Sequence, residues 1–363
     1  MSKLAADHDA INLSQGYPDF PTPGELLELV NKALLEGHNQ YPPMAGIEQL
    51  RSAIAAKVEA CYGAKVDANS EVTVVSGATE GLFDAIFAII HPGDEVIIFD
   101  PAYDSYEPVI RLAGGAARRV PMRYPAYDID WDEVHDTINE KTRMIMVNSP
   151  HNPTGTILAQ ADIDALIDIC VKRDLFIISD EVYEHIVFDG MAHLSMLRFP
   201  KLRERAFVIS SFGKTYHATG WKVGYCIAPR ELTAEYRKIH QFNTFTTSTP
   251  MQYALAWYME HREHYLGLPA FYQAKRDHLR HAMADSRFRA LDCRGTYFQL
   301  FDYSDISKEN DFELVKRLTR EYGVAAIPVS VFYRDEVDNK VIRLCFAKDD
   351  RTLSRAAEIL CKI

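Results

Sequence analysis

Short apolar runs alternate with helix-like patterns along the part of the chain before Leu268. The runs "EVTVVSG", "DEVIIFD" and "RMIMVNSP" are each followed by a segment with helical periodicity, such as "ATEGLFDAIFAIIH". Three further apolar runs follow, "LFIISDE", "RAFVISS" and "KVGYCIAP". Strands separated by helices of about ten to fifteen residues indicate βαβ units. The pattern therefore predicts an α/β fold with a mostly parallel sheet.

The pattern changes near Leu268. A long helix is followed by "FRALDCRGTYFQLFDY", another helix, "GVAAIPVSVF", "KVIRLCFA" and a final helix. This order is typical of a smaller α+β unit. Because no repeat or low-complexity linker separates the two parts, we expect two domains that pack against each other.

Composition and charge exclude several classes of protein. The 363 residues carry a formal net charge of -11, which argues against sequence-independent nucleic-acid binding, since that binding rests on dense positive charge. No apolar run approaches the roughly 18 residues of a membrane-spanning helix, and the start "MSKLAADHDA" lacks the apolar core of a signal peptide. We therefore expect a cytoplasmic protein that binds neither nucleic acid nor membrane.

The cysteines and histidines do not predict a metal site. The six cysteines are scattered without a CxxC pair, as expected for reduced core residues. The segment "HREH" (261–264) places two histidines three residues apart. With no third ligand in view, it is more typical of an exposed helical face than of a metal pair.

Lys214 stands at a position where α/β proteins place their chemistry. The predicted strand "RAFVIS" runs into the small and polar loop "SSFGKTYHATGWKVGY" (210–225), which has Lys214 near its start. The carboxyl end of a strand is the usual place for a ligand in an open α/β sheet. A surface lysine in a loop is the plain alternative.

Two other loops after strands carry groups suited to a ligand. "SGATEG" (76–81), with Gly77, Ala78 and Thr79, opens a helix, so its backbone N–H groups can face an anion. A helix-capping turn is the alternative. Asn152 in "NSPHNPTG" precedes a proline, which favours an extended conformation and can direct its amide at a ligand oxygen. An Asx-Pro turn is the alternative here.

Two charged residues lie in or after apolar strands. Asp180 ends the run in "IISDEVYEHI", and a buried carboxylate is costly unless a cation from the protein or a ligand pairs with it. Tyr183 follows within one helical turn. Arg343 lies inside the strand "KVIRLCFAK", where its guanidinium needs an anion and suits a carboxylate. A structural Arg–Asp pair remains the alternative for each.

Taken together, these groups match the requirements of one cofactor. Pyridoxal 5'-phosphate needs a lysine that forms a Schiff base, an acid beside its pyridinium nitrogen and an anchor for its phosphate. An amino-acid substrate adds a carboxylate that an arginine can bind. The sequence thus predicts an enzyme that uses this cofactor on amino acids.

The motifs resemble those of a known family over nearly the whole chain. "NPTG", "SDEVY", "SFGKT…TGWKVGY" and "IRLCFAK", in this order, resemble the fold-type I aminotransferases. "INLSQGYPDFPTP", "NQYPPMAGIEQLR" and "IPVSVFY" resemble the class I branch with methionine, aromatic and kynurenine–glutamine aminotransferases. The resemblance implies a mixed, mostly parallel, seven-stranded sheet in a large cofactor-binding domain (31–267). It also implies a small α+β domain formed by residues 1–30 and 268–363.

The resemblance also implies a role for each matching residue. Lys214 would form the Schiff base and then act as general acid and base, and Asp180 would pair with the pyridinium nitrogen. Asn152 and Tyr183 would hydrogen-bond the phenolic oxygen of the cofactor, and Tyr103 would stack on its ring.

Further residues would bind the phosphate and the substrate. Those assigned to the phosphate are Gly77, Ala78, Thr79, Ser211 and Lys222, with Tyr41 of a neighbouring subunit of a homodimer. Those assigned to the substrate are Arg343, which would bind the α-carboxylate, and Gly16, Tyr17, Asn152 and Phe332, which would line the pocket.

Three functions are compatible with these motifs. The favoured one is an aminotransferase that moves the amino group of an apolar or aromatic L-amino acid (methionine, aromatic, kynurenine or glutamine type) to a 2-oxo acid in a ping-pong cycle. A carbon–sulfur β-lyase acting on cysteine conjugates would use the same lysine, aspartate and arginine. A cofactor-sensing regulator would require an attached DNA-binding module, which the acidic charge of the chain disfavours.

Overall fold

A seven-stranded sheet forms the centre of the structure, and the computed structural model describes residues 1–363. The whole chain has thirteen strands, which form this sheet and two smaller ones. They are β1 (Ile11–Asn12), β2 (Val72–Val75), β3 (Glu95–Asp100), β4 (Ala116–Pro121), β5 (Thr142–Asn148), β6 (Phe176–Asp180), β7 (Ala206–Ser211), β8 (Gly224–Ile227), β9 (Arg289–Ala290), β10 (Phe298–Asp302), β11 (Val324–Ala325), β12 (Ile327–Pro328) and β13 (Val341–Cys345).

Helices cover both faces of the seven-stranded sheet, and the last three helices of the chain lie in the C-terminal part. The helices are α1 (Ser2–Asp7), α2 (Gly24–Leu35), α3 (Glu48–Tyr62), α4 (Ala78–Ile89), α5 (Tyr106–Leu112), α6 (Trp131–Thr137), α7 (Gln160–Arg173), α8 (Pro200–Arg203), α9 (Phe212–Thr215), α10 (Arg230–Asn243), α11 (Thr249–Tyr258), α12 (Glu263–Leu266), α13 (Leu268–Ala282), α14 (Asp311–Glu321) and α15 (Asp350–Leu360). None of them has both the length and the apolar character that crossing a bilayer requires.

The strand order of the large sheet is β2-β8-β7-β6-β5-β3-β4. All neighbouring strands are parallel except β8, which is antiparallel to both β2 and β7. The predicted mixed and mostly parallel seven-stranded sheet is therefore confirmed. The hydrophobic pattern itself indicated six of these strands and not β4, an edge strand in which only Ala117 and Val120 are buried.

Both faces of the large sheet are buried. Along β3, Val96 and Ile98 pack in one apolar cluster with residues of α4 and α5, whereas Ile97 and Phe99 pack in the cluster on the other face. Successive side chains of a strand point to opposite faces, so a strand covered by helices on both sides is apolar throughout. This explains the continuous apolar runs in the sequence.

The C-terminal part contains a second, smaller sheet. Its four strands follow the order β12-β13-β10-β9 and are antiparallel. The N-terminal segment is attached to this part, because β1 pairs in parallel with β11. The proposed domain boundary at residues 30 and 31 falls inside α2, and the boundary at 267 and 268 falls where α13 begins. The exact division into domains stays a prediction.

Candidate active site

A cavity of about 690 Å³ lies at the carboxyl ends of β5, β6 and β7, and residues of the smaller sheet also line it. All the predicted site residues except Tyr41 line it. They are Gly16, Tyr17, Gly77, Ala78, Thr79, Tyr103, Asn152, Asp180, Tyr183, Ser211, Lys214, Lys222, Phe332 and Arg343. Parallel strands end at one edge of the sheet, so groups distant in sequence meet there.

Lys214 lies in the short helix α9, directly after β7, and its side chain points into the cavity. Its Nζ atom donates hydrogen bonds to the backbone oxygen of Gly16 (3.2 Å) and to the hydroxyl of Tyr297 (2.9 Å). No carboxylate lies within ion-pairing distance of Nζ. Burial lowers the pKa of Lys214 to about 8, because removal from water disfavours the charged amine. A neutral amine is therefore accessible near neutral pH.

Asp180 is the last residue of β6, and its carboxylate is buried. It accepts hydrogen bonds from the hydroxyl of Tyr106 (2.7 Å) and from the backbone N–H of Val182 (3.3 Å). No lysine, arginine or histidine nitrogen lies within 4.0 Å of it. Burial raises the pKa of Asp180 to about 6, against the effect of the Tyr106 hydrogen bond. The carboxylate is placed to receive a proton or a cation from the cavity.

Arg343 enters the cavity from β13 in the smaller sheet, and it is buried. One of its Nη atoms donates to the side-chain oxygen of Asn152 at 2.6 Å. The guanidinium carbon lies 3.9 Å from the centre of the Phe298 ring and 5.1 Å from that of Phe332. Its Nε atom is buried without a hydrogen-bond partner, and no carboxylate lies within 4.0 Å. The alternative of a structural Arg–Asp pair is therefore wrong for this residue.

Gly77, Ala78, Thr79 and Lys222 line a recess of the cavity where α4 begins. Gly77, with φ of 77°, precedes the first turn of α4, and a Cβ atom there would lie 3.2 Å from the Nζ atom of Lys222. On the other side, a Cβ atom at Gly224 would lie 2.6 Å from the backbone oxygen of Ser210. These glycines allow strand, turn and lysine to approach each other. A helix N-terminus beside a lysine favours negative charge.

Aromatic side chains form the remaining walls. Tyr183 is buried and meets the ring of Tyr297 edge to face, with 5.1 Å between centres. Burial raises the pKa of Tyr103 to about 12, so its hydroxyl stays protonated. Gly16 approaches Phe298 so closely that a Cβ atom would lie 2.8 Å from Cζ of that ring. The Nζ atom of Lys348 lies 4.8 Å from the ring centre of Tyr17.

Tyr41 does not line the cavity of its own chain. Its side chain is 84% exposed and meets the ring of Phe245 edge to face at 5.7 Å. The assignment of Tyr41 to a neighbouring subunit's site stays a prediction.

Sequence reasoning missed several residues that support the site. Tyr106 binds Asp180, Tyr297 binds Lys214, and the side-chain oxygen of Asn148 accepts the backbone N–H of Asn152 at 2.8 Å. Tyr106 lies in the same "DPAYDSY" segment as Tyr103, which was a usable signal. Tyr297 sits just before a buried strand, where an aromatic residue is ordinarily a core residue, so no local signal marks it.

The chain matches the family model described as aminotransferase class I and II over residues 8–360. The methionine aminotransferase of Escherichia coli (strain K12) is 53% identical over 361 residues, which cover 99% of this chain and 94% of that protein. Human kynurenine–oxoglutarate transaminase 3 is 37% identical in an alignment of 390 positions that covers 99% of this chain and 86% of the relative.

Solved structures agree with the sequence comparison. The crystal structure of an Escherichia coli protein with methionine aminotransferase function has a TM-score of 0.98 and 52% identity, covering 100% of this chain and 96% of that one. The chain belongs to the class I and II aminotransferases, and it is a pyridoxal-phosphate-dependent aminotransferase of fold type I.

Proposed function

We propose that this aminotransferase takes amino groups from apolar and aromatic L-amino acids, of the methionine, aromatic, kynurenine and glutamine types. The observation that carries the proposal is the wall of the cavity beside Arg343. Apart from Asp104, whose charge acts on Arg343, this side of the cavity is lined by uncharged and mostly apolar side chains, namely Tyr17, Phe298, Ile327, Val331 and Phe332. The names of the relatives that are 53% and 37% identical, a methionine and a kynurenine transaminase, support the same class of donor.

The residues of the cavity fit pyridoxal phosphate. Asp180 is a buried carboxylate with no protein cation within 4.0 Å, and Arg343 is a buried guanidinium whose Nε atom has no partner. Buried charges are costly unless they are paired. The pyridinium nitrogen of the cofactor would pair with Asp180, and the carboxylate of an amino-acid substrate would pair with Arg343. This fit supports the assignment of the cofactor to this cavity.

The phosphate would bind in the recess at the start of α4. The backbone N–H groups of Ala78 and Thr79 begin that helix, and the side chains of Ser211 and Lys222 line the same cavity. Together they offer neutral donors, a helix N-terminus and one positive charge, which suit a phosphate.

The bound cofactor supplies an electrophilic carbon and an electron-withdrawing ring that stabilises negative charge at the substrate Cα atom. Asp180 would hold the proton on the ring nitrogen. Tyr103 would cover one face of the ring. Asn152 would donate from its Nδ2 atom to the phenolic oxygen, because its side-chain oxygen already accepts from Arg343, and an arginine can only donate. Tyr183 would donate to the same oxygen.

Lys214 would hold the cofactor through its Nζ atom and would move a proton from the substrate Cα atom. The pKa of about 8 suits this role, since a general base works best near the operating pH. Tyr297 and the backbone oxygen of Gly16 would orient the amine through the hydrogen bonds described above.

Arg343 would bind the substrate α-carboxylate with the two nitrogen atoms that do not bind Asn152, Nε and the second Nη. A guanidinium fork matches a carboxylate geometrically. The substrate side chain would then extend along Tyr17 and Phe332, with Gly16 leaving space beside it.

We further propose a homodimer that works in the cytoplasm. The exposed Tyr41 and Phe242, at 84% and 86%, support a partner surface near α10. In the dimer, Tyr41 would reach the phosphate of the neighbouring subunit. The six free cysteines support a reducing compartment.

The test is a half-reaction screen of the holoenzyme. Each amino acid is mixed with the enzyme, and the absorbance of the bound aldehyde form is followed as it converts to the amine form. We expect methionine and aromatic amino acids to exceed aspartate by at least about tenfold in kcat/KM, or roughly 1.4 kcal/mol, because an aspartate side chain would bury an unpaired carboxylate. Equal rates with aspartate and methionine would contradict the proposal.

A second assay on the same holoenzyme distinguishes an aminotransferase from a carbon–sulfur β-lyase. Cysteine conjugates are added without any 2-oxo acid, and pyruvate is measured. Sustained pyruvate release at the rate of transamination would identify a β-lyase instead.

A further inference from the structure

The position of Phe332 in the pocket wall depends on contacts from the large sheet and from α14. Its backbone oxygen accepts the N–H of Ala102, which precedes Tyr103 in the loop after β3, at 2.9 Å. Phe332 ends a short 3-10 turn that begins at Ser330. The carboxylate of Asp311 accepts the hydroxyl and the N–H of Ser330 at 2.6 and 2.7 Å. The turn is therefore held at one end by α14 and at the other by the large sheet.

Arg119 on the edge strand β4 reinforces the contact with the large sheet. Its guanidinium is hydrogen-bonded to the carboxylate of Asp100 at 2.6 Å, and its Nε atom lies 2.8 Å from the carboxylate of Glu107 without forming a hydrogen bond. The Nη atom bound to Asp100 also points to the backbone oxygen of Phe332 at 3.4 Å, which is a long hydrogen bond. One largely buried cation thus faces three oxygen acceptors.

We propose that Arg119 is a positioning residue that holds Phe332 in the wall of the substrate pocket, an inference that rests on the proposed function. Without Arg119, two carboxylates whose side chains are 10% and 14% exposed would face each other and the Phe332 carbonyl. Like charges in a poorly hydrated place repel each other and attract water, and Glu107 alone would keep a cationic partner. Arg334, which also binds Glu107 at 3.3 Å, is 54% exposed and has no contact with the carbonyl of Phe332.

Displacement of this turn would change substrate binding more than cofactor binding. The ring of Phe332 lies 5.1 Å from the guanidinium carbon of Arg343, beside the predicted site of the α-carboxylate. The groups assigned to the phosphate lie at the start of α4, at the end of β7 and shortly before β8, and none of them has a hydrogen bond or ion pair with Arg119 or Phe332. Arg119 therefore acts on the pocket wall through Phe332.

The test is a double-mutant cycle on the holoenzyme with Arg119→Gln, Phe332→Ala and both together. Binding of 3-phenylpropionate, a carboxylate that cannot transaminate, is followed through the absorbance of the bound cofactor, and KM and kcat are measured with methionine. We expect Arg119→Gln to raise the Kd and the KM about tenfold with kcat little changed. In the Phe332→Ala background the same change should add almost nothing.

Arg118→Gln is the matched control. Arg118 is the preceding residue of β4, pairs with Glu95 at 2.6 Å and is 51% exposed, so we expect wild-type binding. Arg119→Lys keeps the charge without the fork and should fall between wild type and Arg119→Gln. It replaces Arg119→Gln in the cycle if the glutamine variant does not fold.

Two outcomes would overturn the role of Arg119. If Phe332→Ala weakens binding and the Arg119 change adds its full effect to it, Arg119 does not act through Phe332, while the proposed function stands. If Phe332→Ala binds both ligands like the wild type, the substrate pocket proposed above is wrong, and the role of Arg119 fails with it.

Discussion

The guanidinium of Arg343 donates a 2.6 Å hydrogen bond to the side-chain oxygen of Asn152. This bond joins β13 of the smaller sheet to the loop after β5 of the large sheet, across the cavity. It leaves the Nε atom of Arg343 buried without a partner and the amide nitrogen of Asn152 free to donate. One contact thus orients both the group assigned to the substrate carboxylate and the group assigned to the cofactor oxygen.

Arg343→Ala should weaken substrate binding without loss of cofactor. Removal of a bidentate charged pair in a poorly hydrated site costs on the order of 2–5 kcal/mol, and this loss should appear in kcat/KM for methionine. Arg343→Lys, which keeps the charge but not the fork, should lose less. Cofactor occupancy is measured by absorbance in parallel. A variant that releases the cofactor but keeps its substrate affinity would disprove this assignment.

Lys214→Ala should abolish transamination and leave the fold intact. The amine donates only to Gly16 and Tyr297 and supports no ion pair, so its removal should change the thermal midpoint little. The half-reaction with methionine is measured on the cofactor-loaded variant, with circular dichroism as the check of folding. Wild-type turnover in this variant would show that Lys214 is not the essential amine.

Asp180→Asn should reduce activity strongly, because the amide cannot favour a protonated ring nitrogen. A charge-assisted hydrogen bond contributes roughly 1.5–3 kcal/mol before any effect on the reaction itself. Asp174→Asn is the matched control, since Asp174 lies ahead of the same strand, its side chain is 94% exposed, and its φ of 52° suits asparagine. Unchanged kinetics in Asp180→Asn would mean that Asp180 is only structural.

His240 should make stability depend on pH. Its ring nitrogens contact the carboxylate of Glu80 at 2.7 Å and the backbone oxygen of Met44 at 3.0 Å. Both partners are acceptors, so both nitrogens donate and the ring is charged. Burial alone would lower the pKa of His240, but the carboxylates of Asp84 and Glu80 outweigh it and raise the pKa to about 9.

A raised pKa stabilises the fold below the unfolded value of about 6.5, and this contribution is lost as pH rises through about 9. As the pH is raised from 7 to 10, the thermal midpoint of the wild type should therefore decrease more than that of His240→Asn. The control is His135→Asn, at a position where the side chain is 57% exposed. If the thermal midpoint depends on pH in the same way in the wild type and in His240→Asn, His240 is not charged.

The hydrophobic pattern was sufficient for the elements whose burial is uniform and insufficient where it is not. The strands β3, β5 and β6 are buried on both faces and were recognisable as apolar runs. The edge strand β4 was not recognisable as an apolar run, because it contains Arg118 and Arg119. Their charges are neutralised by the carboxylates of Glu95 and Asp100 on β3. The sequence predicted a mixed sheet without identifying its antiparallel strand, which the structure shows to be β8.

The sequence by itself determined the family, the cofactor and the residues at the ends of the strands, because these depend on local order: a strand, then a loop with a particular side chain. The tertiary structure decided which polar groups have partners. Tyr106 meets Asp180 across 74 positions of the chain, and Tyr297 meets Lys214 across 83. Such contacts arise from how strands and helices pack against each other, and no local pattern of residues records that packing.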